Sequence, residues 1–220
     1  MHTMKYLLFV LALSCSALLN GGCVFANAAG VMAYNMELEK KIEVLAEYDG
    51  LRNETVAVLV HADHLILYEH PKLVANVAVN VGRRIQQNVE GVKVLDPSIT
   101  LDWTYHTPGW VGMPHSEIID ELGVDRLVWV EIYEFRLHPP GNRWIWEGMA
   151  TATVGIVEGD GFDPDSFSEH WDISDEFPKI KQLGRESATQ QSIETGLMAV
   201  FVRKIAWIFY DHIEEKYPDK

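Results

Sequence analysis

The stretch Thr55-Val-Ala-Val-Leu-Val60 is a continuous apolar run, mostly of β-branched residues. Such a run is typical of a strand buried on both faces, and it predicts the first core strand. A helix is predicted next, because Pro71 suits a first helical turn and apolar residues recur every four positions from Leu73 to Ile85. Val92–Leu95 predicts a short second strand that Asp96-Pro97 ends, so the three elements form a right-handed βαβ unit.

The rest of the chain predicts a short helix, a long hairpin and a long closing helix. Pro114–Leu122 has helical spacing and ends at Gly123, while Leu127–Leu137 and Arg143–Val157 have the composition of two strands joined by a turn. Apolar residues at three- and four-residue spacing predict an amphipathic helix from Ser187 to about Glu215. The fold class is therefore α/β, a single mixed β-sheet of order β-α-β-α-β-β-α with helices packed on it.

Two further segments are rich in turn residues and predict surface loops. The first is Ser98–Pro114, which also contains several aromatic residues, and the second is the acidic stretch Gly159–Pro178. Neither segment shows the periodicity of a helix or strand.

The beginning of the chain predicts export. Lys5 precedes an apolar run, Tyr6–Leu19, of about 14 residues, which fits a signal-peptide core and is short of the ~20 residues that span a membrane. Gly21-Gly22-Cys23 follows, and small residues before a cysteine resemble the lipobox of bacterial lipoproteins, in which the cysteine becomes the acylated N-terminus. A rival site, Ala26-Asn27-Ala28, fits ordinary signal peptidase and would give a soluble periplasmic protein.

These patterns divide the chain into a signal peptide over residues 1–22, a lipid-proximal tether over 23–53 and an α/β domain over 54–215. The only two cysteines are Cys15 and Cys23, so cysteine chemistry is excluded from the mature domain. The net charge of −14 disfavours nucleic acid and anionic lipid surfaces as partners. Membrane attachment is therefore expected to come from the lipid on Cys23.

The order of elements, with "Val-Lys-Val-Leu-Asp" at the second strand and Gly123-Val124-Asp125 before the third, resembles a group of envelope lipoproteins. These share the α/β domain of the curli-secretion lipoprotein, the penicillin-binding-protein activator lipoprotein and the Tol-system N-terminal domain. The closing "Ile-Phe-Tyr-Asp-His" is similar to the end of uncharacterised planctomycete-type lipoproteins. The resemblance implies an anticodon-binding-like, Tol N-terminal-like fold and a non-enzymatic envelope protein that acts by contact with partners.

Three sets of side chains are candidate sites. His61, Asp63 and His64 follow the first strand, where α/β sheets bind ligands, and with Glu69 and His70 they suggest either a divalent metal site of a hydrolase or a solvated loop. Carboxylates of the acidic segment suggest either a calcium loop without the EF-hand spacing or a solvated surface. They are Asp160, Asp163, Asp165 and Glu169.

The third set is aromatic and forms either an interaction surface or part of the core, since exposed aromatic residues supply large contact areas. Alternation would put Trp144 and Trp146 on one face of their strand. The members of the set are Trp103, Tyr105, Trp110, Trp129, Trp144 and Trp146.

No serine-nucleophile elbow, phosphate-cradling loop or dinucleotide motif is present in the sequence. The sequence therefore favours a non-enzymatic lipoprotein that acts as an interaction or assembly module, without cofactor or catalytic residues. We expect an outer-membrane lipid anchor facing the periplasm and an envelope protein partner. Two alternatives stay open: a metal-dependent hydrolase, and a small-ligand binder that uses the Trp103–Trp110 loop.

Overall fold

The computed structural model describes residues 40–216, so the export leader, Cys23 and the tether up to residue 39 lie outside the described residues. The chain divides into two compact units. The larger unit is Leu45–Asp211, and the described residues of the smaller one are 40–44 and 212–216.

The larger unit is built on a five-stranded mixed sheet. Its strands lie in the order β3 (Lys93–Val94), β2 (Thr55–Ala62), β4 (Arg126–Arg136), β6 (Gly148–Glu158) and β7 (Glu169–Phe177). β2 runs parallel to β3 and β4, whereas β4, β6 and β7 are antiparallel neighbours. Two further short strands, β5 and β8, pair with each other. In chain order the strands of this unit are β2 Thr55–Ala62, β3 Lys93–Val94, β4 Arg126–Arg136, β5 Ile145–Trp146, β6 Gly148–Glu158, β7 Glu169–Phe177 and β8 Leu183–Gly184, with β1 and β9 in the smaller unit. The predicted mixed α/β sheet is confirmed.

Helices cover both faces of the sheet. On one face α2 and α5 share a large core with alternate residues of β2 such as Val58, and on the other face α4 packs against Leu59 and its neighbours. All residues from Val56 to Val60 are buried, so the prediction of a strand buried on both faces is confirmed. The helices are α1 His64–Glu69, α2 Leu73–Asn88, α3 Pro97–His106, α4 His115–Leu122 and α5 Gln190–Trp207.

The prediction of a loop over Ser98–Pro114 is wrong. Most of the segment forms α3, followed by a short 3-10 helix at Trp110–Gly112. Asp96-Pro97, which ends the preceding strand, also begins the helix, because the Asp96 carboxylate accepts a hydrogen bond from Ser98 N and proline suits the first turn.

The prediction of a loop over Gly159–Pro178 is wrong for its second half, which is the edge strand β7. Its alternate residues Trp171 and Ile173 turn toward the large core, and its backbone pairs with β6. Its polar residues are exposed on the edge of the sheet, and this composition gave the strand the appearance of a loop.

The closing helix is shorter than predicted, since α5 ends at Trp207 and β9 occupies His212–Glu215. The carbonyl oxygen of Ile208 accepts hydrogen bonds from Glu47 N and Tyr48 N at 2.9 and 3.0 Å. The Ile208 carbonyl oxygen therefore bonds to the segment around Glu47 and not to a further helical turn, and the helix ends there. The same segment, expected to be tether, contributes Tyr48 and Leu51 to the core.

The smaller unit contains one antiparallel strand pair, β1 Lys41–Val44 with β9 His212–Glu215. Lys216 N donates a hydrogen bond to Lys40 O at 2.8 Å and extends the pair by one step.

Within residues 40–216, no helix combines the length and the hydropathy that crossing a bilayer requires.

Candidate functional site

A cavity of about 550 Å³ lies where β4 ends, and it is the candidate site. Residues from four separate parts of the larger unit line it: the end of α1, the end of β4 with the turn that follows, the segment after β8, and the first residue of α5. The charged and titratable members of the lining are Glu69, His70, Arg136, His138, Arg143 and Arg185.

Arg136, the last residue of β4, is fixed by three acceptors. Its Nε donates to Glu134 Oε1 at 2.6 Å, and its Nη1 donates to the carbonyl oxygens of His138 at 2.8 Å and Glu147 at 3.0 Å. A guanidinium has five N–H groups in a rigid fork, so the two on Nη2 are left. Among residues 40–216, neither of these two N–H groups has a hydrogen-bond partner.

His70 is buried beside the cavity and held from two sides. Its Nδ1 lies 2.9 Å from Glu194 Oε1, and its ring meets Phe135 edge to face at a centroid distance of 4.9 Å. An ionised carboxylate only accepts hydrogen bonds, so Nδ1 carries the proton and donates. The pair joins the end of α1 to α5 across the lining of the cavity.

His138 is held in the same way by the hairpin. Its Nδ1 lies 2.7 Å from the carbonyl oxygen of Ile145, which can only accept, so Nδ1 is the donor here too. The imidazole stacks on the indole of Trp146, with centroids 4.5 Å apart and planes 21° from parallel. Both histidines of the cavity therefore have a fixed ring and one ring nitrogen, Nε2, beyond these contacts.

The other two arginines lie beside the short β5–β8 ladder. Ile145 pairs with Gly184, and Arg185 N donates to Trp144 O at 2.9 Å, so Arg185 lies opposite Trp144 and Arg143 precedes Trp144 in the turn. Both are exposed. Between them Trp144 leaves 79% of its surface exposed, although tryptophan is usually well buried.

The predicted aromatic set divides in the structure. Trp110, Trp129 and Trp146 are buried, and Trp103 is partly buried, with its Nε1 donating to Glu121 Oε2 at 2.9 Å. Trp110 packs against Trp129 at a centroid distance of 4.9 Å. The exposed members are Tyr105 and Trp144.

Trp144 and Trp146 do not lie on one face of a common strand as alternation suggested, because Trp144 precedes β5 in the turn and is exposed, whereas Trp146 is buried. The Trp103–Trp110 segment of the small-ligand alternative is helical over most of its length. Its two tryptophans pack toward the protein interior.

His61, Asp63 and His64 serve different purposes in the fold. His61 Nδ1 is buried without a hydrogen-bond partner among residues 40–216, and its ring faces Trp110. Asp63 caps α1 by accepting from Leu65 N at 2.8 Å, and His64 is exposed. Within the described part of the chain, no three His, Cys, Asp or Glu side chains are grouped as metal ligands.

The acidic residues 160–169 likewise make separate contacts. Asp160 pairs with Arg126, whose hydrogen bond lowers the pKa of that carboxyl, and Asp163 accepts from Ser166 Oγ at 2.7 Å. Asp165 accepts from the N and Oγ of Ser116 at 3.0 and 2.6 Å. Asp160 and Asp165 thus tie the segment to the rest of the domain, whereas the Asp163 contact lies within the segment.

Sequence reasoning found part of the site and missed the rest. Glu69 and His70 belonged to the histidine-rich group after the first strand, and Trp144 belonged to the aromatic set. The three arginines were missed, since they are far apart in the chain and only the fold brings them to one cavity. The signal that could have indicated them was their position beside turn residues in an otherwise acidic chain.

The known proteins that match this chain match it in backbone fold only. No family model matches the chain. No curated protein matches it either. The resemblance to the curli-secretion, penicillin-binding-protein activator and Tol-system domains, and to planctomycete-type lipoproteins, therefore stays a prediction.

Several solved structures have a similar fold. The PelC dodecamer from Paraburkholderia phytofirmans is 8% identical with a TM-score of 0.45, and the match covers 77% of this chain and 93% of that one. Lipoprotein GNA1162 from Neisseria meningitidis is 10% identical with a TM-score of 0.44, covering 69% and 97%. The hypothetical protein CT253 from Chlamydia trachomatis is 16% identical with a TM-score of 0.41, covering 69% and 92%. At these values the likeness assigns neither a family nor a function.

Proposed function

We propose that the protein is a non-enzymatic binding and assembly module of the bacterial cell envelope, held on the outer membrane by acyl chains on Cys23 and facing the periplasm. The observation that supports a binding role most directly is a pair of exposed aromatic residues, each of which is the sequence neighbour of a residue that lines the arginine-lined cavity. Tyr68 is 86% exposed next to Glu69, and Trp144 is 79% exposed next to Arg143. We call Tyr68 and Trp144 the aromatic pair.

Exposed aromatic side chains are costly to leave in water and useful in an interface. Tyr and Trp bury large areas on binding and lose little conformational entropy, which is why they dominate the binding energy of many interfaces. Tyr68 lies on the short helix α1, whose residues include no buried one, and Leu65 on the same helix is 70% exposed. This surface supports contact with an envelope protein partner.

The proposed anchor rests on the sequence before residue 40. Gly21-Gly22-Cys23 follows the apolar segment Tyr6–Leu19 after one residue, Asn20, and an apolar segment before a cysteine is the order found in lipoprotein leaders. A chain with a net charge of −14 gains no attraction from anionic lipid, so acyl chains would supply the affinity for the membrane. The same charge argues against nucleic acid as the partner.

Site-specific photo-crosslinking in the native host tests the partner claim. A photoreactive phenylalanine analogue is placed at Tyr68, at Trp144 or, as a matched control, at Phe162, which is fully exposed elsewhere. The proposal predicts one adduct of the same mass from Tyr68 and Trp144, containing the same envelope protein, and none from Phe162. Equal adducts from all three positions, or none from the aromatic pair, would overturn it.

Metal analysis tests the non-enzymatic part of the proposal against the hydrolase alternative. Full-length protein purified from its host in detergent is expected to contain less than a tenth of an equivalent of zinc. Stoichiometric zinc that is lost on His61→Ala, and retained on the control substitution His170→Ala, would contradict the proposal.

A further inference from the structure

We infer that the arginine-lined cavity is a binding site for a small ligand carrying a carboxylate or phosphate group, with Trp144 covering a ring or apolar part of the same ligand. This inference rests on the proposed binding role of that end of the domain and names its ligand class. Four features of the cavity support it: a fixed donor, two adjacent cations, a local charge opposite to that of the chain, and a suitable size.

The fixed donor is Arg136. Three of its N–H groups hold it to Glu134, His138 and Glu147, as described above, so its guanidinium is oriented before any ligand arrives. The two N–H groups of Nη2 are left to donate. A donor fixed in advance loses little side-chain entropy on binding, and this increases affinity.

The two adjacent cations are Arg143 and Arg185, which line the same cavity. Neither guanidinium has a carboxylate within 4.0 Å among the ion pairs of residues 40–216. The β5–β8 ladder places Arg185 opposite Trp144, the residue that follows Arg143. Two cations that line one cavity without a carboxylate partner both attract an anion bound there.

The charge of the lining is opposite to that of the chain. Arg136 is paired with Glu134 and lies 4.0 Å from Glu147 Oε1, but Arg143 and Arg185 still outnumber the single carboxylate of the lining, Glu69, although the whole chain has 32 acidic and 18 basic residues. Glu134, which lies nearby, is already paired with Arg136, and Glu194 is already paired with His70. A lining of this sign attracts anions and disfavours cations.

The size and the residue type narrow the ligand class. A volume of about 550 Å³ lies within the range of ~300–1,000 Å³ that is usual for small-molecule pockets. The planar fork of arginine matches the two oxygens of a carboxylate or a phosphate. An indole that is exposed beside such a fork can cover the flat face of a sugar or an aromatic ring.

Calorimetric titration of the full-length protein in detergent tests the inference with three sugars of similar size. Glucuronate and glucose 1-phosphate carry the carboxylate and the phosphate, and glucose is the neutral control. The inference predicts that at least one anionic sugar binds with a millimolar or lower dissociation constant, at least ten-fold more tightly than glucose. Which of the two binds more tightly distinguishes a carboxylate source from a phosphate source.

Substitutions locate the binding. The double substitution Arg143→Gln and Arg185→Gln is expected to weaken binding of the anionic sugar at least ten-fold, and Trp144→Ala at least three-fold. Arg83→Gln removes an exposed arginine of α2 and is expected to leave affinity unchanged. Thermal unfolding of each variant shows whether it is folded. Arg136→Lys keeps the positive charge and loses the planar fork, so it provides an independent test, and we expect it to weaken binding of the anionic sugar at least three-fold.

The inference is overturned if glucose binds as tightly as both anionic sugars, if neither binds, or if the double variant retains full affinity. The measurement needs neither acyl chains nor a partner. Crosslinks from the aromatic pair without anion binding would therefore overturn this inference alone, whereas anion binding without crosslinks would overturn the proposed partner contact alone.

Discussion

The indole Nε1 of Trp146 donates a hydrogen bond to the carbonyl oxygen of Ala188 at 3.1 Å, with the carbonyl oxygen of Arg185 at 3.3 Å from the same nitrogen. One buried side chain thus joins β5 to the segment before α5. His138 stacks on the same indole and also lines the cavity. The positions of His138 and Arg185 therefore depend on one tryptophan.

Replacing Trp146 with phenylalanine should loosen the side of the cavity that His138 and Arg185 line. The variant removes the only N–H of the indole and leaves two carbonyl oxygens without their donor, so we expect a loss of about 1–3 kcal/mol in the free energy of unfolding. Urea denaturation measures the loss, and amide hydrogen exchange should quicken over residues 183–188. Trp144→Phe is the control, because that side chain is exposed, and it should change stability by less than about 0.5 kcal/mol. Equal effects of the two substitutions would contradict the role of Trp146.

Gly148 begins β6 at a point where the backbone leaves no space for a side chain. A Cβ there would lie 2.6 Å from the carbonyl oxygen of Phe177 and 3.2 Å from Leu197 Cδ2. Gly148→Ala should therefore lower the free energy of unfolding by about 1–3 kcal/mol, since a strand must shift. Gly112→Ala, with nothing within 4 Å, should stay within about 0.5 kcal/mol of the natural protein. Thermal or urea unfolding of both variants checks the difference, and a stable Gly148→Ala variant would show that this packing is wrong.

Asp165 should affect stability in a pH-dependent way. Its carboxylate accepts the N–H and O–H of Ser116 in the first turn of α4, and these bonds lower the pKa of Asp165 below its ordinary value of 3.8. A lowered folded-state pKa stabilises the protein above the ordinary pKa, and the stabilisation is lost as pH falls through the folded-state value. Asp165→Ala should thus lower the thermal midpoint at pH 7, and the difference should shrink toward pH 2.5.

The control for this prediction is Asp120→Ala. Asp120 is an exposed carboxylate of α4 without a hydrogen bond or ion pair among residues 40–216. Its replacement should change the midpoint little at either pH. A difference in midpoint between Asp165→Ala and the natural protein that stays constant from pH 7 to pH 2.5 would exclude a stabilising role of the ionised Asp165 carboxylate at Ser116.

Tyr48 should contribute stability that is lost in alkali. Burial, with a hydrogen bond from its hydroxyl to Glu158 Oε1 at 2.7 Å, raises its pKa well above 10. A raised folded-state pKa means that the contribution is complete below pH 10 and is lost as pH rises beyond it. Tyr48→Phe should cost about 1–2 kcal/mol at pH 7 and remove, from an absorbance titration, a phenol that ionises well above pH 10. Tyr105→Phe, at an exposed tyrosine, should do neither.

The sequence was sufficient where burial follows from local composition. The β-branched residues 55–60 and the four-residue spacing of α2 allowed only a buried strand and a packed helix. It was insufficient for β7, a sheet-edge strand in which exposed polar residues alternate with Trp171 and Ile173, which face the large core. The cavity was beyond local reasoning, because Glu69, Arg136 and Arg185 meet only after the sheet, the hairpin and the β5–β8 ladder have formed.

Mass spectrometry of the protein from the envelope of its native host tests the central claim most directly. If the domain is a lipid-tethered envelope module, the N-terminal peptide begins at Cys23 and has the added mass of acyl chains, and Cys23→Ser abolishes the modification while Cys15→Ser leaves it intact. A polypeptide that begins at Met1, or just after Ala28, with no acyl mass would contradict the claim.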